Sequence, residues 1–180
     1  MNRARYSAAN FLLCSVCCIS AFLVITSSGL AQQRPENPAA CGPADVHMKV
    51  QNSKSNSETP LSPGKAHVYI VGVFRRPSFE FFVDPTILIG MDGSWLGATR
   101  NRSYLEFSIE PGDHHLCAEW NSTLQKRLPA LATLKAEPGR SYYFRARIMY
   151  PGGLDFQPLD PDEGRFLVSH SKLIIASATK

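Results

Sequence analysis

Beyond residue 31 the chain has no apolar run long enough to cross a bilayer, no Gly-x-Ser-x-Gly elbow, no Gly-rich phosphate loop with its lysine, and only two cysteines. A membrane-spanning helix needs about 20 consecutive, mostly apolar residues. An elbow-type hydrolase needs the sharp strand-to-helix turn that exposes its serine. A P-loop enzyme needs the backbone cradle that the glycines allow. Charge of one sign is scarce too, with 19 Lys and Arg against 15 Asp and Glu. The basic residues fall in short, scattered pairs (Arg75-Arg76, Lys126-Arg127, Arg145 and Arg147), the pattern of solvated loops and strand faces. Nucleic acids and anionic membranes select a clustered basic stripe, so neither is expected as a partner.

The one long apolar stretch, Phe11 to Ile25, follows Arg3 and Arg5 and precedes Gly29-Leu30-Ala31. A positive start, a short apolar run and small residues at minus three and minus one describe a signal peptide over residues 1–31, cut after Ala31. The alternative is an uncleaved anchor. Cys14, Cys17 and Cys18 lie in or beside this run and would leave with it, and no small-residue-then-Cys site favours a lipid anchor. Cleavage removes two arginines and no acid, so the net charge falls from +4 to +2. Membrane contact is then expected only through the signal segment, and the location is periplasmic or extracellular. Export implies an oxidising compartment, where the remaining Cys41 and Cys117 are expected to form a disulfide rather than stand as unrelated thiols.

Residues 32–64 are rich in Gln, Pro, Asn and Ser and nearly empty of apolar side chains from Gln51 to Pro63. Such a segment buries too little surface to offset its ordering entropy, so a flexible leader is expected, with order beginning at Lys65. From there to residue 180 the period is two. Ala66 to Val73 is apolar nearly throughout, as in a central strand. Strands are expected over Ser78 to Val83, Thr86 to Met91 and Ser94 to Ala98. Later ones place Leu105, Phe107 and Ile109, then Leu116, Ala118 and Trp120, on inward rows. Ala130 to Ala136 and Tyr142 to Tyr150 continue the series, and Cys117 points away from the core. Asp92-Gly93 reads as a hairpin turn, and Glu110-Pro111-Gly112 and Glu137-Pro138-Gly139 as tight turns with Pro and Gly at the corners. Asp160 serves as N-cap of one short helix to about Ser169, with Pro161 first and Glu163 as capping-box partner, weakened by Gly164. Leu173-Ile174-Ile175 can return as a strand. The fold class is all-β, a small antiparallel β-sandwich of immunoglobulin-like type with one short C-terminal helix.

The stretch Ile87-x-Ile89-x-Met91-Asp92-Gly93-x-x-Leu96-Gly97, then Tyr104 and Pro111-Gly112-x-His114-x-Leu116, resembles the core of PEGA-type envelope modules. More closely, Lys65 to Leu167 is similar to a bacterial secreted or lipoprotein family, domain-of-unknown-function family 2846. The Gly-x-Tyr-Tyr-Phe element of that family matches Gly139 to Phe144, and its Glu-Gly matches Glu163-Gly164. The likeness covers a little over half the chain, mostly in turn and core residues. It implies an envelope β-sandwich and carries over no catalytic residue.

Candidate chemistry is sparse. His114 and His115 follow a turn, but neighbours on a strand point to opposite faces and cannot readily share one metal. His47, His67 and His170 lack ligand spacing, so no metal site is expected; His114 is expected to face inward and bond backbone, and His115 to be partly exposed. No catalytic residue and no cofactor are assigned. Asp160, Asp162 and Glu163 suit helix capping. Trp95, Trp120, Tyr104 and Tyr143 are the binding candidates, since aromatic platforms stack sugars or hold proteins. Against that, Trp120 and Tyr142 would fill the core. Asn101-Arg102-Ser103 and Asn121-Ser122-Thr123 are glycosylation sequons that the bacterial resemblance leaves unmodified. The expected function is a non-enzymatic exported module for binding or envelope assembly, with an envelope protein or glycan as partner. The alternatives are a glycan-binding domain using the exposed aromatics, and a metalloprotein or hydrolase around His114 and His115.

Overall fold

Alternating strands must bury one face each, and a strand apolar on both sides must be covered twice. The computed structural model describes residues 39–43, 46–53, 62–74, 85–121, 128–149 and 153–179. The expected signal segment, the expected strand over Ser78 to Val83, and Tyr150 lie outside the described residues. The elements run β1 (His47–Asn52), β2 (Ala66–Gly72), β3 (Thr86–Met91), β4 (Ser94–Thr99), β5 (Ser103–Ile109) and β6 (Gly112–Asn121). There follow β7 (Ala130–Ala136), β8 (Ser141–Met149), β9 (Gly153–Leu159), α1 (Pro161–Ser169) and β10 (Lys172–Thr179). They form a six-stranded sheet, β1-β10-β5-β2-β8-β9, and a four-stranded sheet, β4-β3-β6-β7. The chain is a small β-sandwich.

The inward rows meet as the sequence pattern requires. Val68, Ile70, Phe144 and Ile148 of the larger sheet pack with Ile87, Ile89, Leu116 and Trp120 of the smaller one. Every residue of β2 is buried. Its outer side, Tyr69 and Val71, joins Tyr104, Tyr143 and Val168 beneath α1. Two pairings, β2 with β8 and β5 with β10, are parallel, so the sheets are rich in antiparallel pairs without being purely so.

Two further points differ from the sequence reading, and the Glu-Pro-Gly turns gain a place in the topology. Order is described before Lys65: β1 pairs antiparallel with β10 from His47↔Thr179 to Asn52↔Ile174. This edge strand buries only Val50, which is why its sequence looks like a polar leader. The two Glu-Pro-Gly tripeptides sit at the crossings between the sheets. The first carries the chain from β5 to β6 and the second from β7 to β8, each time from one sheet to the other. Glu163 does not complete a capping box. Asp160 caps the helix through the Asp162 amide at 2.8 Å, whereas Glu163 reaches Arg145 at 3.0 Å and ties α1 to β8.

Gly164, a flaw by propensity, is what lets the helix sit down. A Cβ there would lie 2.2 Å from the Tyr143 ring carbon Cγ. Ala at this position gains about 1 kcal/mol of helix propensity and loses more through overpacking against a rigid ring, of order 1–3 kcal/mol. Gly164→Ala is therefore expected to lower the melting temperature; an unchanged or raised value in calorimetry would mean that the helix does not bear on Tyr143.

Candidate functional site

The tight turns collect at one end of the sandwich. Asp92 (φ 48°) and Gly93 (φ 84°) both have positive φ, the signature of a type I′ two-residue hairpin, with Met91 opposite Ser94. The Asp92 carboxylate is spent locally: it accepts from the His115 amide at 2.8 Å and bonds the His114 Nδ1 at 2.7 Å. His114 Nε2 meets the Glu110 carbonyl at 2.9 Å. A carbonyl and a carboxylate only accept, so a ring facing both is best served by two N–H groups, the imidazolium form. Burial alone would push the His114 pKa down, but the Asp92 and Glu110 bonds outweigh it and the net shift is upward from 6.5. Burial alone would raise Asp92, but the His115 amide and then His114 hold it below 3.8. The pair thus staples the β3–β4 turn to the β5–β6 corner. Lys65 adds an ion pair to Glu110 at 2.7 Å, and its carbonyl accepts from the Gly139 amide of the second corner at 2.9 Å. His115 is exposed and His114 half-buried, in keeping with the sequence reading. Among the described residues no three His, Cys, Asp or Glu side chains converge as metal ligands.

The aromatic candidates are scattered. Trp120 is in the core at 9% exposure. Tyr104 and Tyr143, expected near the surface, are instead buried below α1, where Tyr143 stacks on Tyr69 with ring centres 5.0 Å apart. Alternation in β8 marks one inward face, and α1 covers the other. Trp95 is half-buried and holds the N-terminal segment: its Nε1 donates to the Pro43 carbonyl at 2.8 Å. Gly42 lies against the indole so closely that a Cβ would meet it at 2.3 Å. Beside it Cys41 and Cys117 form a disulfide with Cα atoms 5.2 Å apart, both side chains buried with Ala40 on the outer face of the four-stranded sheet.

The opposite end carries a feature the sequence reading passed over as a sequon. Arg100, Asn101 and Arg102 form the β4–β5 turn beside Asn52 and Lys172, lining a cleft of about 450 Å³. The turn is fastened from within. Ser103 Oγ accepts from the Arg100 amide at 2.8 Å and donates to its carbonyl at 2.9 Å, while Thr99, fully buried, bonds the Ser103 carbonyl at 3.1 Å. Arg102 has φ 55°, and both its backbone groups are used: its amide donates to the Gly72 carbonyl at 2.9 Å, and its carbonyl accepts from the Lys172 amide at 3.1 Å. The only sequence signal was two arginines around an asparagine in a turn; Lys172 comes from a strand seventy residues on.

No protein-family model, curated protein or solved structure matches the chain.

The His114 staple sets a pH window. A raised histidine contributes stability that is complete below its ordinary value of 6.5 and lost as pH rises through its folded value. A depressed carboxyl contributes above its ordinary value of 3.8 and fails as pH falls through its folded value. The pair is therefore complete between the two. Wild type is expected to lose melting temperature on going from pH 6 to pH 9 by more than His114→Gln does. Parallel curves in differential scanning calorimetry would reject the ionised pair.

Proposed function

We propose that the chain is a non-enzymatic β-sandwich module, exported to the periplasm or beyond, that acts by binding or in envelope assembly with a protein or glycan partner. The observation that carries this reading is the Cys41–Cys117 disulfide, set in a buried cluster with Ala40 and gripped by Trp95. Bridges of this kind persist in oxidising compartments and are rare where thioredoxin and glutathione keep thiols reduced. The N-terminal signal pattern and the resemblance to envelope families point the same way. The non-enzymatic part is supported by how the polar groups are used. Both ring nitrogens of His114 and both oxygens of Asp92 are engaged in joining turns. Of the aromatics proposed for glycan contact, Trp120, Tyr104 and Tyr143 are each at least nine-tenths buried, so the glycan platform has less support than the general binding role.

Cell fractionation with thiol alkylation tests the reading. The mature protein is expected outside the cytoplasm, starting after Ala31, with neither Cys41 nor Cys117 alkylated before reduction. A cytoplasmic protein with both thiols reactive would overturn it. Cys41→Ser combined with Cys117→Ser is expected to destabilise the fold by up to about 4 kcal/mol through the long loop the bridge closes, read as a lower midpoint in denaturant titration.

A further inference from the structure

The cleft at the β4–β5 turn is lined by three cations, Asn52, Asn101, Ser103 and Ile174. Arg100, Arg102 and Lys172 bring three positive charges to one opening, no acidic side chain among the described residues lines it, and none of the three belongs to an ion pair there. The Arg100 Nε is shut off from solvent with no hydrogen-bond partner, as are the Nε atoms of Arg145 and Arg147. Buried charged donors ordinarily find an acceptor, and one left without calls for an explanation. Asn101 adds to the set: its Oδ1 accepts from the Phe74 amide at 3.1 Å, so its Nδ2 hydrogens are the ones left to donate. The hydroxyl of Ser103 is already committed to the turn.

A site with three cations and no acid among its described lining residues fits an acceptor-only anion. A carboxylate brings one charge and two oxygens; a phosphate monoester brings close to two charges and three terminal oxygens, a better match for two guanidinium forks and an ammonium. The cleft exceeds a bare phosphate and falls in the range of small-ligand pockets. A second cleft of about 570 Å³ shares Asn101 and Arg102 and is walled by Val73, Phe74, Ile148 and Met149. Its one further cation, Arg147, is neutralised by Asp155 at 2.9 Å. An uncharged body attached to the phosphoryl group would lie there.

We infer that the Arg100–Arg102 turn and Lys172 form a binding site for the phosphoryl group of a phosphate monoester, the rest of the ligand lying along Phe74 and Met149. This rests on the reading of the chain as a binding module, but the cleft chemistry is independent of the compartment. Failure of the thiol experiment leaves the phosphate test intact, and the reverse holds too.

The test uses the mature, oxidised protein at low ionic strength. Titration with inorganic phosphate, followed by amide chemical shifts, is expected to saturate at one site with the largest shifts at residues 100–103 and 172. Arg102→Gly removes the guanidinium and relaxes the positive φ, so it keeps the fold, and it is expected to weaken binding about tenfold, as loss of a charged hydrogen bond does. Lys172→Gln is expected to do the same, and Arg165→Gln on α1 to leave binding unchanged. Absence of saturation, equal affinity in Arg102→Gly and Lys172→Gln, or succinate binding as tightly as phosphate would each overturn the assignment. Two arms separate the sources. Glucose 1-phosphate binding more tightly than inorganic phosphate supports a soluble phosphorylated sugar. Co-sedimentation with phosphatidylcholine vesicles only when they contain phosphatidic acid, lost in Arg102→Gly, supports a lipid headgroup.

Discussion

Double burial of β2 is the constraint from which the rest of the architecture follows. A strand with no exposed residue needs apolar partners above and below and hydrogen-bonded neighbours on both edges. Below it lies the four-stranded sheet; above it α1 closes over Tyr69 and Val71. Its edges are taken by β5, antiparallel, and β8, parallel. A parallel neighbour demands a crossover, and the chain makes it by leaving the larger sheet after β5, building β6 and β7 in the smaller sheet, and returning at β8. The two Glu-Pro-Gly corners are the exit and the return. Their repetition reflects the same geometric task performed twice, and Lys65 at the entry to β2 is bonded to both.

That logic explains which parts were legible in the sequence. Alternation marks an inward row, and the inward rows of β3, β5, β6, β7 and β8 were readable residue by residue. Asp92-Gly93 encodes its turn locally, in two residues that tolerate positive φ. What local pattern cannot carry is coverage by something distant. β1 is polar because it is an edge, and its partner β10 is more than a hundred residues away. β9 contains Pro158, which an edge strand tolerates and a central one does not, and so its sequence carries no strand signal. Tyr104 and Tyr143 looked available because nothing in β5 or β8 reveals that α1 lands on them. Gly164 looked like a defect because its reason, the Tyr143 ring, sits on another element.

The two ends of the sandwich use polar groups in opposite ways. At the corner end, donors and acceptors are matched: Asp92 with His114 and the His115 amide, Glu110 with His114 and Lys65, Glu137 with Arg140 at 2.9 Å. Surface pairs of this kind add little stability singly, and their use is to fix where three turns stand relative to one another. At the other end the backbone groups and the Thr99, Asn101 and Ser103 side chains are matched, and the three cations are in no ion pair among the described residues. The turn from Arg100 to Ser103 is held by Thr99, Ser103, Gly72 and Lys172, while its guanidinium groups are left facing a cleft.

The two non-glycine residues of positive φ mark this contrast. Left-handed backbone costs an ordinary residue of order 1 kcal/mol, and Asp is among the few that recover it through side-chain hydrogen bonds nearby. Asp92 does so, by accepting the His115 amide of β6, the strand paired with β3. Arg102 recovers nothing in that way; its side chain is exposed, and glycine would meet the backbone requirement at less strain. The clamp on its amide and carbonyl fixes its backbone beside the cleft. Backbone held in sparsely populated regions clusters at ligand clamps, active sites and switch regions.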